Sequence, residues 1–439
     1  MTPTLCRASV LLTLCTLAPL HAAAAPGQVT QPVVYGDDDR VDIHAHPDAD
    51  VRALARNTAV ALTSVYRLAY REDEGDVLMS RGSLGSAYSL CEGERFRDQP
   101  VSAFCSGSLI APDLVLTAGH CVTGGQDQCN DLRFVFNYAY DSSTQRSTIE
   151  PDDVYACRNI ITQLVRGSTG GANYIDYAIV QLDRPATPRH TPAEVATTAA
   201  PVAVGQRVIM IGSPSGIPIK IDDGGIVRDA RADTLNYFIA STDSFGGNSG
   251  SPIFNADTLQ QVGLLVYGDR DYESAGSCNR VKVCAQDGCA GEGITYAFRA
   301  IEAFCEIGTN EELCGTEPVC GDGYCAWNET GCPADCPAPV CGNDTCEPGE
   351  LEGCPTDCIK VVPQDWTCSA GSYGTFDGCD RNCGAEDPDC KWQTGGILDG
   401  LGDCEDCSSS AGPYPSITAL LAAMLVLLGF RRMRRTRAA

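Results

Sequence analysis

Positive charge is scarce in this chain of 439 residues. The chain has 31 lysines and arginines against 57 aspartates and glutamates, so its formal net charge at pH 7 is −26. A surface of this sign repels the phosphates of nucleic acid and of anionic lipid, which excludes nucleic-acid partners. Basic substrates would be attracted to it, but only diffusely.

Histidine is scarcer still, with five residues against 26 cysteines. The segment from Cys314 to Cys407 holds 15 of those cysteines and contains no histidine, which disfavours a zinc site there. Cysteine at this density in an exported chain indicates disulfide bonds. We therefore predict that the mature protein lies in an oxidising compartment.

Long apolar runs are confined to the two ends of the chain. Residues 1–25 combine a positive charge at Arg7, a short apolar stretch and small alanines before Pro26. This arrangement predicts a secretory signal peptide and export from the cell. A first membrane helix is the alternative, and the shortness of the apolar run disfavours it.

The second apolar run, Ser416 to Phe430, is short for a membrane span, which needs about 20 residues. A linker at 391–415 with two cysteines precedes it, and an arginine cluster follows within 416–437. Cysteines, apolar helix and arginines together resemble the bacterial MYXO-CTERM type of sorting tail. The resemblance implies membrane contact through the helix, followed by processing and surface display or release. A permanent anchor is the alternative.

Two Cys-rich units of about 20 residues, Cys320–Cys336 and Cys341–Cys358, are copies of one pattern with four cysteines each, and a divergent third unit spans Trp366 to Cys390. Units this small cannot bury a sufficient core, so disulfides must hold the segment 314–390 together. Its acidic loops could bind calcium through carboxylate oxygens, and solvated turns are the alternative. The loop acids concerned are Asp322, Asp344, Glu350 and Asp357.

Between these ends, short β-rich runs alternate with Gly, Pro and Asp turns, which predicts an all-β barrel or sandwich. The clearest runs are Gly107–Ala111, Leu114–Thr117, Leu132–Phe136, Tyr177–Leu182, Gln206–Ile211 and Val262–Tyr267. Many short strands of this kind in about 270 residues indicate one β-rich unit before the Cys-rich segment.

Three short motifs in this β-rich part carry residues for acyl-transfer chemistry. His120 ends the stretch Thr-Ala-Gly-His, Asp176 opens Asp-Tyr-Ala-Ile-Val, and Ser249 lies between glycines in Gly-Asn-Ser-Gly-Ser-Pro. A serine hydroxyl becomes a nucleophile when a histidine takes its proton and a carboxylate orients that histidine. Each residue alone has an ordinary structural explanation, but the three contexts together make that explanation improbable.

The order and contexts of these three residues resemble the chymotrypsin-like, or trypsin-like, serine peptidases. The resemblance implies a peptidase domain at 34–310 with two six-stranded β-barrels and the site between them. It also implies an oxyanion hole from the amides of Gly247 and Ser249, and a disulfide between Cys105 and Cys121. A terminal helix, Ala297 to Cys305, would close the second barrel. No metal or organic cofactor is needed for this chemistry.

The residue before the serine departs from the trypsin pattern. It is Asn248, where trypsin-type enzymes have an aspartate that pairs with a new N-terminal ammonium, so this switch is not available. Asn248 and the following Ser251-Pro252 resemble the bacterial glutamyl-endopeptidase (V8-like) branch. Val34 to Arg40 resembles the mature N-terminus of that branch, which suggests a short propeptide at 26–33.

The resemblance also bears on the specificity pocket. Asp243 lies six residues before Ser249, where trypsin-type enzymes place the aspartate that pairs with Lys or Arg. Val266 and Gly268 belong to the expected pocket wall, and the histidine of the glutamyl-specific branch is missing there. A basic preference is therefore favoured over an acidic one. Alternatively, Asp243 caps its loop and points away from the pocket.

We interpret the chain as a secreted or surface-attached serine endopeptidase that acts on proteins or peptides. A different class of function is a catalytically silent surface binding or adhesion protein that uses its Cys-rich modules. A third hypothesis is an enzyme that processes other exported proteins, with the repeats as a stalk. The natural substrate and the oligomeric state are open at this point.

Overall fold

The structure is a computed structural model that describes residues 34–71, 74–79, 82–308, 310–315 and 367. The predicted signal peptide, propeptide, linker and C-terminal helix lie outside the described residues, as do the calcium loops and nearly all of the Cys-rich segment. Within the described residues, the helices are all too short or too polar to span a membrane.

Short strands make up most of the regular structure within the described ranges. They are β1 (Val34–Tyr35), β2 (Val41–Asp42), β3 (Ala59–Ser64), β4 (Leu68–Arg71), β5 (Asp76–Met79), β6 (Cys105–Ala111), β7 (Leu114–Thr117), β8 (Leu132–Val135), β9 (Val154–Arg166), β10 (Ile175–Leu182), β11 (Arg207–Gly212), β12 (Lys220–Asp229), β13 (Tyr237–Ala240), β14 (Pro252–Asn255), β15 (Gln261–Tyr267), β16 (Tyr272–Ser274), β17 (Asn279–Val281), β18 (Val283–Cys284) and β19 (Glu292–Tyr296).

The helices are few and short by comparison. They are α1 (Ala49–Thr58), α2 (Leu84–Ala87), α3 (Gly125–Asp131), α4 (Ala297–Cys305) and α5 (Glu311–Cys314). Helix α1 begins where the side chain of Asp48 accepts hydrogen bonds from the amides of Asp50 and Val51, which satisfies N–H groups that the first helical turn leaves unpaired.

Six antiparallel strands close into a first barrel, in the order β3–β6–β7–β10–β9–β8 around the ring. Every residue of β6 and of β10 is buried. A strand that is buried on both faces has few exposed polar positions, so its sequence does not alternate regularly between apolar and polar residues. This explains why these strands stand out in the sequence.

A second set of strands follows the order β11–β14–β15–β19–β13–β12, and pairing between β11 and β12 closes it into another six-stranded barrel. The short strand β2 adds to the free edge of β12. The predicted all-β, chymotrypsin-like double barrel is therefore confirmed.

The two barrels share one apolar cluster, and helix α4 belongs to it. The cluster contains Phe134 and Ile179 from the first barrel together with Leu264 from the second. Ile301 and Phe304 of α4 are buried in the same cluster. The predicted bounds of this helix agree with the structure, but it packs against both barrels rather than closing the second one alone.

Five disulfides hold this part of the chain. They are Cys91–Cys278, Cys105–Cys121, Cys129–Cys157, Cys284–Cys289 and Cys305–Cys314. The resemblance predicts the second of these, and the sequence left the pairing of the others open. Cys314, which the sequence places in the Cys-rich segment, is bonded to the end of α4 and so belongs with the barrels.

Candidate active site

His120 lies on a 3₁₀ turn, Gly119–Val122, directly after strand β7 of the first barrel. This turn packs closely on the neighbouring strands at Gly119. A Cβ atom there would come within 2.6 Å of the Tyr177 carbonyl oxygen and 2.7 Å of that of Leu164. Only glycine leaves room for this approach, which carries the histidine to the strand that bears Asp176.

Asp176 is fully buried on β10 and holds His120 by two hydrogen bonds. Its Oδ2 lies 2.7 Å from Nδ1 of the imidazole, and its Oδ1 accepts a 3.1 Å bond from the His120 amide. With Nδ1–H donating to the carboxylate, Nε2 of the neutral ring is left as the basic nitrogen. The structure thus brings together the predicted base and its orienting acid.

A tyrosine that the sequence analysis missed also contacts Asp176. The hydroxyl of Tyr174 donates a 2.9 Å hydrogen bond to Asp176 Oδ2. Burial, and after it the charge of Asp176, raises the pKa of the Tyr174 phenol, so the hydroxyl stays protonated. The sequence does hold a signal for this contact. Tyr174 and Asp176 are two residues apart at the start of a strand, and residues at that spacing point to the same face.

Ser249 precedes strand β14 of the second barrel, and its backbone is tied to the first barrel. Its carbonyl oxygen accepts a 2.8 Å bond from Ser106 N and lies 3.8 Å from Sγ of Cys121, the residue after His120. A Cβ at Gly250 would lie 2.3 Å from Thr117 Oγ1. The serine loop therefore rests against the strand and the turn that carry the histidine.

The Gly247 backbone adopts φ of +97°, which places it in a region that favours glycine. Its carbonyl oxygen accepts a 2.8 Å hydrogen bond from the hydroxyl of Ser106. The Ser106 hydroxyl oxygen itself accepts a 2.9 Å hydrogen bond from the amide of Ser213. Among the described residues, the Gly247 N–H has no hydrogen-bond acceptor. An anchored loop with a free amide is the arrangement that an oxyanion hole requires.

Asn248 points into its own loop. It is buried, and its side-chain oxygen accepts a 3.2 Å bond from Ser251 Oγ. No charged partner faces it in the described ranges, and its Nδ2 donates to no group there. The side chain of Asn248 is therefore engaged within its own loop.

Asp243 does not stand free in a pocket. Its Oδ1 accepts a 2.7 Å bond from Tyr35 N, and its Oδ2 accepts a 2.9 Å bond from Asp39 N. Both oxygens are thus engaged by the N-terminal segment 34–40. Burial raises the pKa of the Asp243 carboxyl, and burial with the nearby Asp243 charge raises that of Asp222. The contacts favour the loop-capping alternative over direct pairing with a substrate.

The other two residues of the predicted pocket are placed in the wall strand. Val266 is fully buried in β15 as part of the shared apolar cluster, and Gly268 follows the end of that strand. A further acid beside this strand went unnoticed in the sequence. Glu292 accepts 2.8 Å bonds from Tyr35 OH and Ser244 Oγ, and burial raises its pKa well above the usual range.

In the described ranges, two groups of side chains have the residue types of a metal site. Cys105, His120 and Cys121 lie close together, but the two cysteines form a disulfide and offer no thiolate. Asp39, Asp222 and Asp243 have carboxylate oxygens within 4.8 Å of one another. Since Asp243 already accepts two amide bonds, we assign no metal to this acidic group.

Comparison with known proteins shows a similarity over part of the chain. Residues 105–264 match the family model of the trypsin-like peptidase domain. The trypsin-like match includes His120, Asp176 and Ser249, and it supports a peptidase, that is, a hydrolase of peptide bonds. Among curated proteins, none matches this chain.

Several solved structures are similar to this chain. A Glu endopeptidase in complex with MPD is 20% identical over 62% of this chain and 98% of its own, with a TM-score of 0.35. The VesB protease of Vibrio cholerae is 16% identical over 63% and 67%, with a TM-score of 0.36. A scabies mite inactivated protease paralogue is 16% identical over 62% and 98%, with a TM-score of 0.35. Values this low support no statement about activity.

Proposed function

We propose that the protein is a serine endopeptidase that cleaves proteins or peptides through an acyl-enzyme. The observation that carries this proposal is the 2.7 Å contact between His120 Nδ1 and buried Asp176 Oδ2, made where the Ser249 loop meets the histidine turn. The free Gly247 amide beside it supports the same chemistry. The family match to a trypsin-like peptidase domain agrees with this assignment.

The reaction follows from the arrangement. Ser249 Oγ attacks the substrate carbonyl carbon while His120 Nε2 takes the hydroxyl proton, and the charged imidazolium is stabilised by Asp176. The substrate oxygen becomes an oxyanion that the amides of Gly247 and Ser249 bind. His120 then gives its proton to the leaving amine, the C–N bond breaks, and an acyl-Ser249 ester remains. Water, deprotonated by His120, hydrolyses that ester and restores the hydroxyl.

The test is cleavage of a mixed peptide library by exported, disulfide-bonded protein, with cut sites mapped by mass spectrometry. Ser249→Ala should abolish cleavage and also labelling by a fluorophosphonate probe, because only a serine with a competent base reacts. Ser86→Ala, at an exposed serine on α2, is the matched control and should retain both. Wild-type protein that is folded and freed of its propeptide, yet cleaves nothing, would instead support the silent binding protein.

We further propose a preference for Lys or Arg before the cleaved bond. The proposal rests on position: Asp243 lies six residues before Ser249, the spacing at which trypsin-type enzymes place the aspartate that pairs with Lys or Arg. Asp243→Asn should then reduce cleavage after Lys and Arg relative to other residues. If cleavage is unchanged in its preference, Asp243 only anchors the N-terminal segment, as its contacts with Tyr35 and Asp39 favour.

We also propose that the protein is exported and displayed or released at the surface after contact through its C-terminal helix. Five disulfides among the described residues support an oxidising compartment. The intact mass of the mature protein would show whether residues 1–33 and the tail are removed. A mature chain that keeps 416–437 and stays in the membrane fraction would instead support the permanent anchor.

The Cys-rich repeats are proposed to serve either as a stalk or in substrate recognition, with calcium in their acidic loops. Deletion of 316–410 tests this, because it leaves the Cys305–Cys314 bond of the barrels intact. Equal cleavage of a folded protein substrate by both forms would support a stalk, and selective loss would support recognition. Calcium binding by the full chain that disappears in the deletion would support the loops as its site.

A further inference from the structure

Among the described residues, the carboxylate of Asp176 has three hydrogen-bond donors, of which two come from His120. The third is the Tyr174 hydroxyl, 2.9 Å from Oδ2, the same oxygen that lies 2.7 Å from His120 Nδ1. We propose that Tyr174 is a positioning residue that fixes Asp176 Oδ2 for His120 and links that orientation to the docking of the second barrel. This inference rests on the proposed peptidase function.

The ring of Tyr174 is held by the second barrel, although the residue directly precedes strand β10 of the first. It makes edge contacts with Tyr267 of β15, at a centroid distance of 5.2 Å and 86°, and with Tyr237 of β13, at 6.1 Å and 88°. These two rings also contact each other at 5.6 Å. The cluster leaves the Tyr174 ring little freedom, so its hydroxyl is directed at Asp176 by packing.

The shared oxygen determines the expected chemistry. A phenol that donates to Oδ2 withdraws part of the carboxylate charge that would otherwise stabilise protonated His120. The titratable and charged groups that face this pair are His120 on its turn, Tyr237 and Tyr267 on the second barrel, and Arg231 stacked on the Tyr237 ring. Within the part of the chain that the structure describes, these facing groups include no further carboxylate, and the Tyr174 hydroxyl is the donor to Asp176 that does not come from His120.

The test replaces Tyr174 by Phe, which keeps the ring in the cluster and removes only the hydroxyl. We expect kcat to fall about ten- to a hundredfold, the range for losing a hydrogen bond to a charged group. KM should be unchanged because no substrate contact is removed. The acidic limb of the kcat/KM profile should move to higher pH, since Asp176 then holds the imidazolium more strongly.

The matched control is Tyr237→Phe, which removes a buried hydroxyl from the same ring cluster without any bond to Asp176 among the described residues. It should leave the acidic limb in place. Rates are counted per site titrated with a fluorophosphonate, so that unfolded protein does not enter kcat. In an Asp176→Asn background, Tyr174→Phe should change kcat less than threefold, because the acceptor that it acts through has lost its charge.

A second variant covers the case in which Tyr174→Phe does not fold. Site-specific 3-fluorotyrosine at 174 keeps ring and hydroxyl, makes the phenol a stronger donor, and should move the acidic limb to lower pH. An active wild type whose kcat and pH profile are unchanged in Tyr174→Phe, or unchanged in the fluorinated protein, would overturn the positioning role. Absence of any Ser249-dependent cleavage in the wild type would overturn the proposed function instead.

Discussion

Replacement of Gly247 by alanine should test the proposed oxyanion hole separately from the proposed catalytic residues. The backbone there has φ of +97°, and an added Cβ would lie 2.6 Å from Ser213 O and 2.7 Å from Gly216 N. Both neighbours are backbone atoms in a buried loop, so they cannot rotate away as a side chain could. The serine loop must therefore move.

The size of this movement sets the expected loss. To reach an ordinary contact of 3.4 Å, the Cβ must retreat by about 0.8 Å from the Ser213 oxygen. An oxyanion donor acts within a window of about 2.7–3.1 Å, so the Gly247 amide would leave it. Loss of one such donor typically costs about 2.7–4 kcal/mol in the transition state, which lowers kcat roughly 10²- to 10³-fold.

The assay compares kcat and KM for a peptide that the wild type cleaves, together with thermal unfolding. Gly205→Ala is the matched control, because Gly205 has φ of +87° and no atom within 4 Å of an added Cβ. Both variants bear the cost of a positive φ, about 1–3 kcal/mol, and should unfold at lower temperature than the wild type. Only Gly247→Ala should lose kcat.

Two results would refute this reasoning. A folded Gly247→Ala protein with kcat within threefold of the wild type would show that its amide does not bind the oxyanion. An equal loss of kcat in Gly205→Ala would show that general loop strain, rather than displacement of the donor, reduces activity.

Two further predictions concern stability. Replacing Cys105 and Cys121 together by serine opens a loop of 16 residues and should lower the free energy of unfolding by about 3 kcal/mol, measured by urea denaturation; a loss below 1 kcal/mol would contradict the loop-entropy argument. Burial raises the pKa of Asp113 to about 6, above its unfolded value of 3.8, so the folded state binds its proton more tightly and the contribution of Asp113 to wild-type stability should fall by about 2 kcal/mol between pH 4 and pH 7. Asp113→Asn should lack the Asp113 part of this fall, and identical pH profiles would refute the assignment.

The sequence predicted the parts of the site that depend on local chain geometry. His120, Asp176 and Ser249 each stand in a short motif whose glycines or strand context serve a local purpose, such as the close packing at Gly119. The alternation of β-rich runs and turns likewise predicted the all-β fold, because strand and turn preferences act over a few residues.

The sequence was less informative about acids whose partners are distant. Asp243 has the spacing of a pocket aspartate, yet its carboxylate accepts from Tyr35 N, which is 208 residues away in the chain. Glu292 accepts from Tyr35 OH across 257 residues. Whether an acid faces a substrate or an internal amide depends on which hydrogen-bond donors the packing of the fold brings near it. Those donors are distant in the chain, so no local sequence pattern predicts them.

The chain by itself therefore indicated which residues to propose for acyl transfer, and it predicted the secondary structure that carries them. The tertiary structure decided how those residues are held. Tyr174 reaches Asp176 in a direction set by the rings of Tyr237 and Tyr267, which arrive from the other barrel. The physical reason is that side-chain direction in a close-packed interior is fixed by neighbours in space, and those neighbours are assembled only when the two barrels meet.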